Sequence, residues 1–144
     1  MIATPLLDPV EAYALWAPSY PAHAHNPVMQ AEERAMLSLL PDGLHGQSVL
    51  DAGCGSGRYM LCALERGAAQ VTGVDLSPAM LRRAAAELEN HPCGAACELK
   101  QGSLDALPVA DGWADLTVCG LTIGHLEQLQ PALAELCRVT RPGG

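Results

Sequence analysis

Val49 to Tyr59 reads VLDAGCGSGRY: an apolar run broken by Asp51, three alternate glycines at 53, 55 and 57, and then a helical pattern. A strand that runs into glycines leaves bare main chain at its mouth. Glycine there permits positive φ and lets a ligand press on the backbone without meeting a Cβ. The loop also ends at a helix N-terminus, whose free N–H groups and dipole favour a negative group. Tight turns use glycine for purely structural reasons as well, so a second feature is needed. Asp75 supplies it. It ends the next predicted strand, where this topology faces the ribose of a bound nucleoside, and its carboxylate can accept from both hydroxyls while repelling a 2′-phosphate.

Outward from this stretch, the pattern alternates strand and helix. Ser48–Ala52 is the first predicted strand and Gly57–Arg66 the helix after it, ended by Gly67. Gln70–Leu76 is a second strand, followed by a helix with Ser77 as N-cap and Pro78 at its first position. Glu98–Ser103 is a weaker third strand, and DALPVADGWA is a loop. Ala114–Ile123 is a fourth strand, apolar enough to be buried on both faces, and Glu127–Thr140 is a last helix with Pro131 in its first turns. Before the glycine loop, Asn26–Leu40 opens with Asn before Pro and spaces its apolar residues as an amphipathic helix. The fold class is α/β, a doubly wound Rossmann-like parallel sheet with helices on both faces.

The 144 residues suit one domain, and a hydrophobic content of 49% can fill one core. A formal net charge of −8 with eight Lys and Arg argues against a nucleic-acid or acidic-membrane surface. No apolar run is long enough for a membrane span and the start lacks a basic signal, so a soluble cytoplasmic protein is expected. Cys54, Cys62, Cys119 and Cys137 lie in apolar segments and read as reduced, buried thiols. Cys93 and Cys97 have no companion pair at ligand spacing, and no metal is expected.

LDAGCGSG, then VTGVDLSPAML, QGSLDALPVADGWADL and RVTRPGG, in that order, resemble the class I S-adenosylmethionine-dependent methyltransferases, in their small-molecule branch, over about residues 10 to 144. The resemblance implies S-adenosylmethionine as cofactor and a small-molecule methyl acceptor. It places Asp51, Gly53, Cys54 and Gly55 at the methionine end, Asp75 on the ribose, Leu76 and Met80 on the adenine, and Ser103 with Leu104 at the adenine edge. The family often has Asp at the position of Ser103, which implies a weaker adenine contact here. Cys119, Gly120 and Leu121 would close the other side of the sulfonium. Core packing is an equal account of Met80 and Leu121.

Three of the five aromatic residues, Tyr13, Trp16 and Tyr20, crowd into EAYALWAPSYPAHAHN. Large rings outside the periodic core suggest a flap over a site, and the resembling family closes such a segment over its cofactor. Residues 1–26 are therefore expected to be a flap and 27–144 the Rossmann-like core, with Tyr13 and Tyr20 as cofactor contacts. His125, just past strand four, is the candidate general base if the transfer uses one; a helix-start or packing role is the plainer reading. His23 and His25 in the flap could meet an acceptor.

In the family, PGG leads directly into three further strands, giving the order 3-2-1-4-5-7-6. Those strands are not in these 144 residues, so the chain is expected to carry the cofactor half of an incomplete fold, to bind cofactor weakly and to turn over little. Strand four would then be an apolar edge, favouring self-association. Two other readings stay open on the residues: an inactive methyltransferase-like interaction module, and a NAD-binding oxidoreductase domain, whose G-x-G-x-x-G places its third glycine one position later than Gly57.

Overall fold

The computed structural model describes residues 7–144; the first six residues of the expected flap lie outside the described part. Four parallel strands make up the sheet: β1 (Ser48–Ala52), β2 (Gln70–Asp75), β3 (Cys97–Gln101) and β4 (Leu116–Val118), in the order β3-β2-β1-β4. Helices α3 (Arg58–Glu65) and α4 (Pro78–Glu89) connect the strands on one side, and α5 (Leu129–Val139) packs on the other. Because side chains alternate across a strand, β1 feeds both layers. Val49 joins Leu44, Met60, Leu64, Val71 and Leu88 under α3 and α4. Leu50 and Ala52 join Val74, Leu104, Leu107, Ala132 and Val139 under α5. The expected α/β class is what the chain adopts.

The helix starts follow the capping chemistry in the sequence. Asn26 accepts from the Met29 N–H at 2.9 Å and starts α2 (Pro27–Leu39), and Ser77 accepts from the Met80 N–H at 3.4 Å and starts α4. Each has Pro at the first position, whose missing N–H costs nothing there. Gly57 is left-handed at φ +84° and serves as the cap of α3, so that helix begins one residue later than expected. The last helix begins at Leu129 instead of Glu127, and Pro131 sits in its first turn.

Two expectations are corrected. Strand four is three residues long, half-buried, and does not run from Ala114 to Ile123. Its ladder with β1 covers Leu116 to Val118, after which Gly120 and a left-handed Leu121 (φ +54°) turn the chain into a single 3-10 turn, Ile123–His125. Nor is its outer side bare at the start: Ala114 donates to Val139 O and its carbonyl accepts from the Arg141 N–H, a parallel bridge to Thr140. The second correction concerns the aromatic segment, which contains a helix, α1 (Pro9–Trp16), with Asp8 accepting from the Glu11 N–H at 2.9 Å. No α1 residue is buried, so hydrophobic periodicity gives no sign of it. The signal that could have found it is the run Asp8-Pro9-Val10-Glu11, a cap, a proline and an acid in the first turn.

All six cysteines are free, but only Cys54 is buried, so the expected burial of Cys62, Cys119 and Cys137 is corrected as well; Cys62 and Cys119 are part-buried, and Cys93 and Cys137 are exposed. Among the described residues no helix is long and apolar enough to cross a membrane, and no group of His, Cys, Asp and Glu could hold a metal. Leu50 is fully buried at the centre of the α5-side layer. Leu50→Ala should destabilise the chain by about 2–5 kcal/mol, read as a lowered midpoint in urea unfolding at unchanged slope.

Candidate functional site

One cleft opens across the C-terminal ends of β1, β2 and β4 and is roofed by α1 and the 3-10 turn that follows it. This is where the strand order of a doubly wound sheet reverses and where ligands of such sheets bind. The glycine loop forms its floor. Gly53 and Cys54 donate to Val74 O at 2.7 and 2.9 Å, and Gly55 donates to Asp75 Oδ2 at 2.8 Å. All three glycines have positive φ. At Gly53 the constraint is also spatial, since a Cβ would fall onto Thr122. Thr122 Oγ1 in turn donates to Gly53 O or Gly120 O, at 3.2 and 2.9 Å, joining the mouths of β1 and β4.

Asp75 is held on both oxygens, by the N–H groups of Gly55 and Ser77 at 2.8 Å each. Those bonds fix the carboxylate at the cleft wall and leave each oxygen a lone pair for a ligand hydroxyl. Burial pushes its carboxyl above the usual range, and the N–H donors oppose that shift. Asp51 is more extreme. It is 2% exposed, its Oδ2 has no partner among the described residues, and burial, reinforced by the Asp75 charge, raises its pKa to about 7. An unpartnered carboxylate oxygen facing a cleft calls for a cation or a donor from a ligand.

The cleft brings together most of the predicted contacts: Asp51, Gly53, Cys54, Gly55, Asp75, Leu76 and Met80 from the first two strand ends, with Ser103 and Leu104 beyond β3. Met80 is buried and Leu76 half-exposed, so the first is also core and the second is exposed apolar surface inside the cleft. Gly120 and Leu121 line the wall from β4. Leu121 in the left-handed region costs roughly 1–2 kcal/mol, a strain held at the cleft. Cys119 is not brought there. Its side chain faces the opposite hollow, against Leu136 and Cys137 of α5, because one step along the strand reverses the face.

Tyr13 and Tyr20 line the roof, and His125 the far wall. The Tyr13 hydroxyl and His125 Nε2 lie 3.2 Å apart, within hydrogen-bond reach across the cleft mouth. Tyr13, Trp16, Tyr20 and His25 form a cluster of edge-to-face and stacked rings above it. Main-chain contacts pin the roof: Arg83 Nε donates to Tyr20 O at 2.9 Å and Ser56 Oγ to Pro21 O at 3.3 Å. Of the flap histidines, His25 belongs to the ring cluster, whereas His23 gives only its carbonyl, to His25. Sequence reasoning missed Arg58, Tyr59, Ser77 and Thr122, all on the cleft wall. Arg58 stands directly after the third glycine and could have been named on position alone; nothing local distinguishes Thr122.

These residues fit the amino-acid and ribose ends of S-adenosylmethionine: an unpartnered buried carboxylate for an ammonium, and a fixed carboxylate for two hydroxyls. Asp51 titrating near 7 sets two expectations. Its folded value lies above that of the unfolded chain, so it favours the fold at low pH and loses that contribution as pH rises from about 4 through 7. Asp51→Asn should therefore raise the thermal midpoint of the ligand-free chain at pH 8 more than at pH 5. It should also abolish any rise in S-adenosylhomocysteine affinity between pH 6 and 8, measured by calorimetry.

The comparisons with known proteins agree with this geometry. Residues 49–144 match the family model described as a methyltransferase domain. Over 109 residues the chain is 39% identical to a malonyl-[acyl-carrier protein] O-methyltransferase of Pectobacterium atrosepticum, covering 76% of this chain and 40% of that protein. A protein of the same name from Salmonella typhimurium is 38% identical over 133 residues, covering 92% of this chain and 49% of that protein. The chain thus spans about half, or less, of the length of the curated relatives it matches. Among solved structures, an S-adenosylmethionine-dependent methyltransferase from Mesorhizobium loti superposes with a TM-score of 0.69 at 31% identity, over 79% of this chain and 50% of that one. A family match over two thirds of the chain, on the residues that build the cleft, makes this chain a member of the methyltransferase domain family, in the class I S-adenosylmethionine-dependent group.

Proposed function

We propose that this protein transfers a methyl group from S-adenosylmethionine to a small acceptor. The unpartnered, buried Asp51 of β1 and the fixed Asp75 at the end of β2, either side of the glycine loop, carry this reading. Bound in the cleft, the cofactor would supply an electrophilic methyl group to an acceptor lone pair. The chain's own contribution is placement. Asp51 and the loop carbonyls hold the amino-acid end, Asp75 the ribose, Met80 and Leu76 the adenine faces, and Ser103 with Leu104 its edge. Positioning alone can supply several kcal/mol of the barrier.

Residues 1–26 act as the flap and 27–144 as the core. His125 takes the acceptor's proton, and Tyr13 orients its imidazole through their 3.2 Å contact. Curated relatives are named for methylating a malonyl group on a carrier protein; a carrier-linked acyl group is accordingly the first acceptor to test, ahead of free acids and amines. The NAD reading is disfavoured by the glycine spacing, and the interaction-module reading by the intact Asp51 and Asp75.

Calorimetric titration with S-adenosylmethionine and S-adenosylhomocysteine, beside an NAD control, should show saturable binding of the first two. Asp75→Ala should weaken it at least tenfold, as expected for two hydrogen bonds to a charged group. Absence of binding at millimolar ligand would overturn the cofactor assignment. Tyr13→Phe should leave the ribose and adenine contacts intact and change cofactor affinity less than threefold, while in an active full-length protein it should lower kcat and shift its acid limb.

A further inference from the structure

Behind the glycine loop lies a second set of buried polar atoms that the cofactor assignment does not use. Arg58, at the first position of α3, binds two carboxylates of α2: Glu32 Oε2 at 2.7 Å and Glu33 Oε1 at 3.2 Å. Its guanidinium also lies over the Tyr59 ring, 4.5 Å from the centroid. The pairing accounts for one oxygen of Glu32. The other, Oε1, is sealed from solvent with the Tyr59 hydroxyl as its neighbouring donor, and Asp51 Oδ2 is sealed with no partner among the described residues. Buried polar groups are nearly always paired, so the bare Asp51 oxygen and the buried end of Glu32 call for an explanation.

Tyr59 and Glu32 meet beside Gly120. A Cβ on Gly120 would strike the Tyr59 ring at 2.6 Å and Glu32 Oε1 at 2.8 Å, so the missing side chain is what leaves room between them. Gly120 and Tyr59 line the cleft, as do Asp51 and Arg58. Burial, and after it a hydrogen bond to Glu32, keep the Tyr59 phenol protonated, and the Glu32 charge adds a small last contribution to the forces that oppose Asp51 ionisation. Glu32 and Glu33 share one cation, which leaves negative charge in excess near Gly120 and the buried Asp51. A cationic ligand group relieves it; a neutral one does not.

We infer that Glu32 is the second carboxylate of an ammonium socket, acting with Asp51 across Gly120 to hold the positive end of the cofactor's amino acid. The inference rests on the cofactor reading above and adds a residue from α2, outside the glycine loop and the strand ends. Arg58 and Glu33 serve the socket by fixing Glu32 in place, and Arg58 marks where the neighbouring carboxylate of the same amino acid would settle.

The test compares two ligands on the 144-residue chain: S-adenosylhomocysteine, which has the amino-acid end, and 5′-methylthioadenosine, which shares the adenosine and thioether but lacks it. Glu32→Gln keeps the shape and an acceptor for Arg58 while removing the charge. It should weaken S-adenosylhomocysteine about tenfold or more, the scale of a charge-assisted contact, and change methylthioadenosine less than twofold. Glu33→Gln, which also faces Arg58 but not Gly120, should leave both ligands within twofold. Equal loss of both ligands in Glu32→Gln, no loss of either, or an equal selective loss in Glu33→Gln would overturn the socket and leave Glu32 a brace for α3. Wild-type chain that binds neither ligand would instead overturn the cofactor reading, and the socket with it. Thermal midpoints of the variants separate binding from folding. Should Glu32→Gln not fold, Glu32→Asp, which keeps the charge and withdraws it from Gly120, should give the same selective loss, and its absence would count against the socket.

Discussion

The end of β2 holds the glycine loop, and the site depends on that tie. Val74 O takes the N–H groups of Gly53 and Cys54, and Asp75 takes those of Gly55 and Ser77. Four donors that would otherwise point into a cleft without partners are thereby committed, which is the condition for a loop of this kind to persist in an apolar sheet. The same bonds set Asp75 at the cleft wall. A single carboxylate thus fixes the loop, caps the approach to α4 and stays available to a ligand through its remaining lone pairs.

Around that tie the fold separates stability from function. Packing on both faces comes from residues of β1 and β2 that alternate between two hydrophobic layers. Functional groups project from the strand ends and from the segments just beyond them, where the ladder stops: Gly102 and Ser103 after β3, Gly120 to Thr122 after β4. Backbone strain at Leu121 and the unpartnered Oδ2 of the buried Asp51 lie on this rim. The layers offset costs of that kind, as is usual for binding sites.

The roof is joined to the rim by few polar contacts, from Arg83, Ser56 and the Tyr13–His125 pair, and by a cluster of rings. Its helix buries none of its own residues. An element held by so little apolar area belongs to the low-stability end of a structure.

Local chemistry in the sequence determined the alternation of strands and helices, the caps at Asn26 and Ser77, the left-handed glycines and the placing of Asp51 and Asp75 at the ends of neighbouring strands. Each depends on neighbours within a few residues, or on a topology with few alternatives. The four family motifs pointed to residues that, Cys119 excepted, the fold gathers at one cleft. Strand four is where local reading failed: an apolar run of ten residues says nothing about where its partner ends, and only the three-residue ladder with β1 and the turn at Gly120 decide its length. The side on which Cys119 falls follows from that register. The roof helix escaped because it has caps but no buried face. Long-range juxtapositions, Tyr13 with His125 across 112 positions and Glu32 with Arg58 across 26, were decided by tertiary structure alone. No spacing rule relates residues on elements that meet only after the sheet has formed.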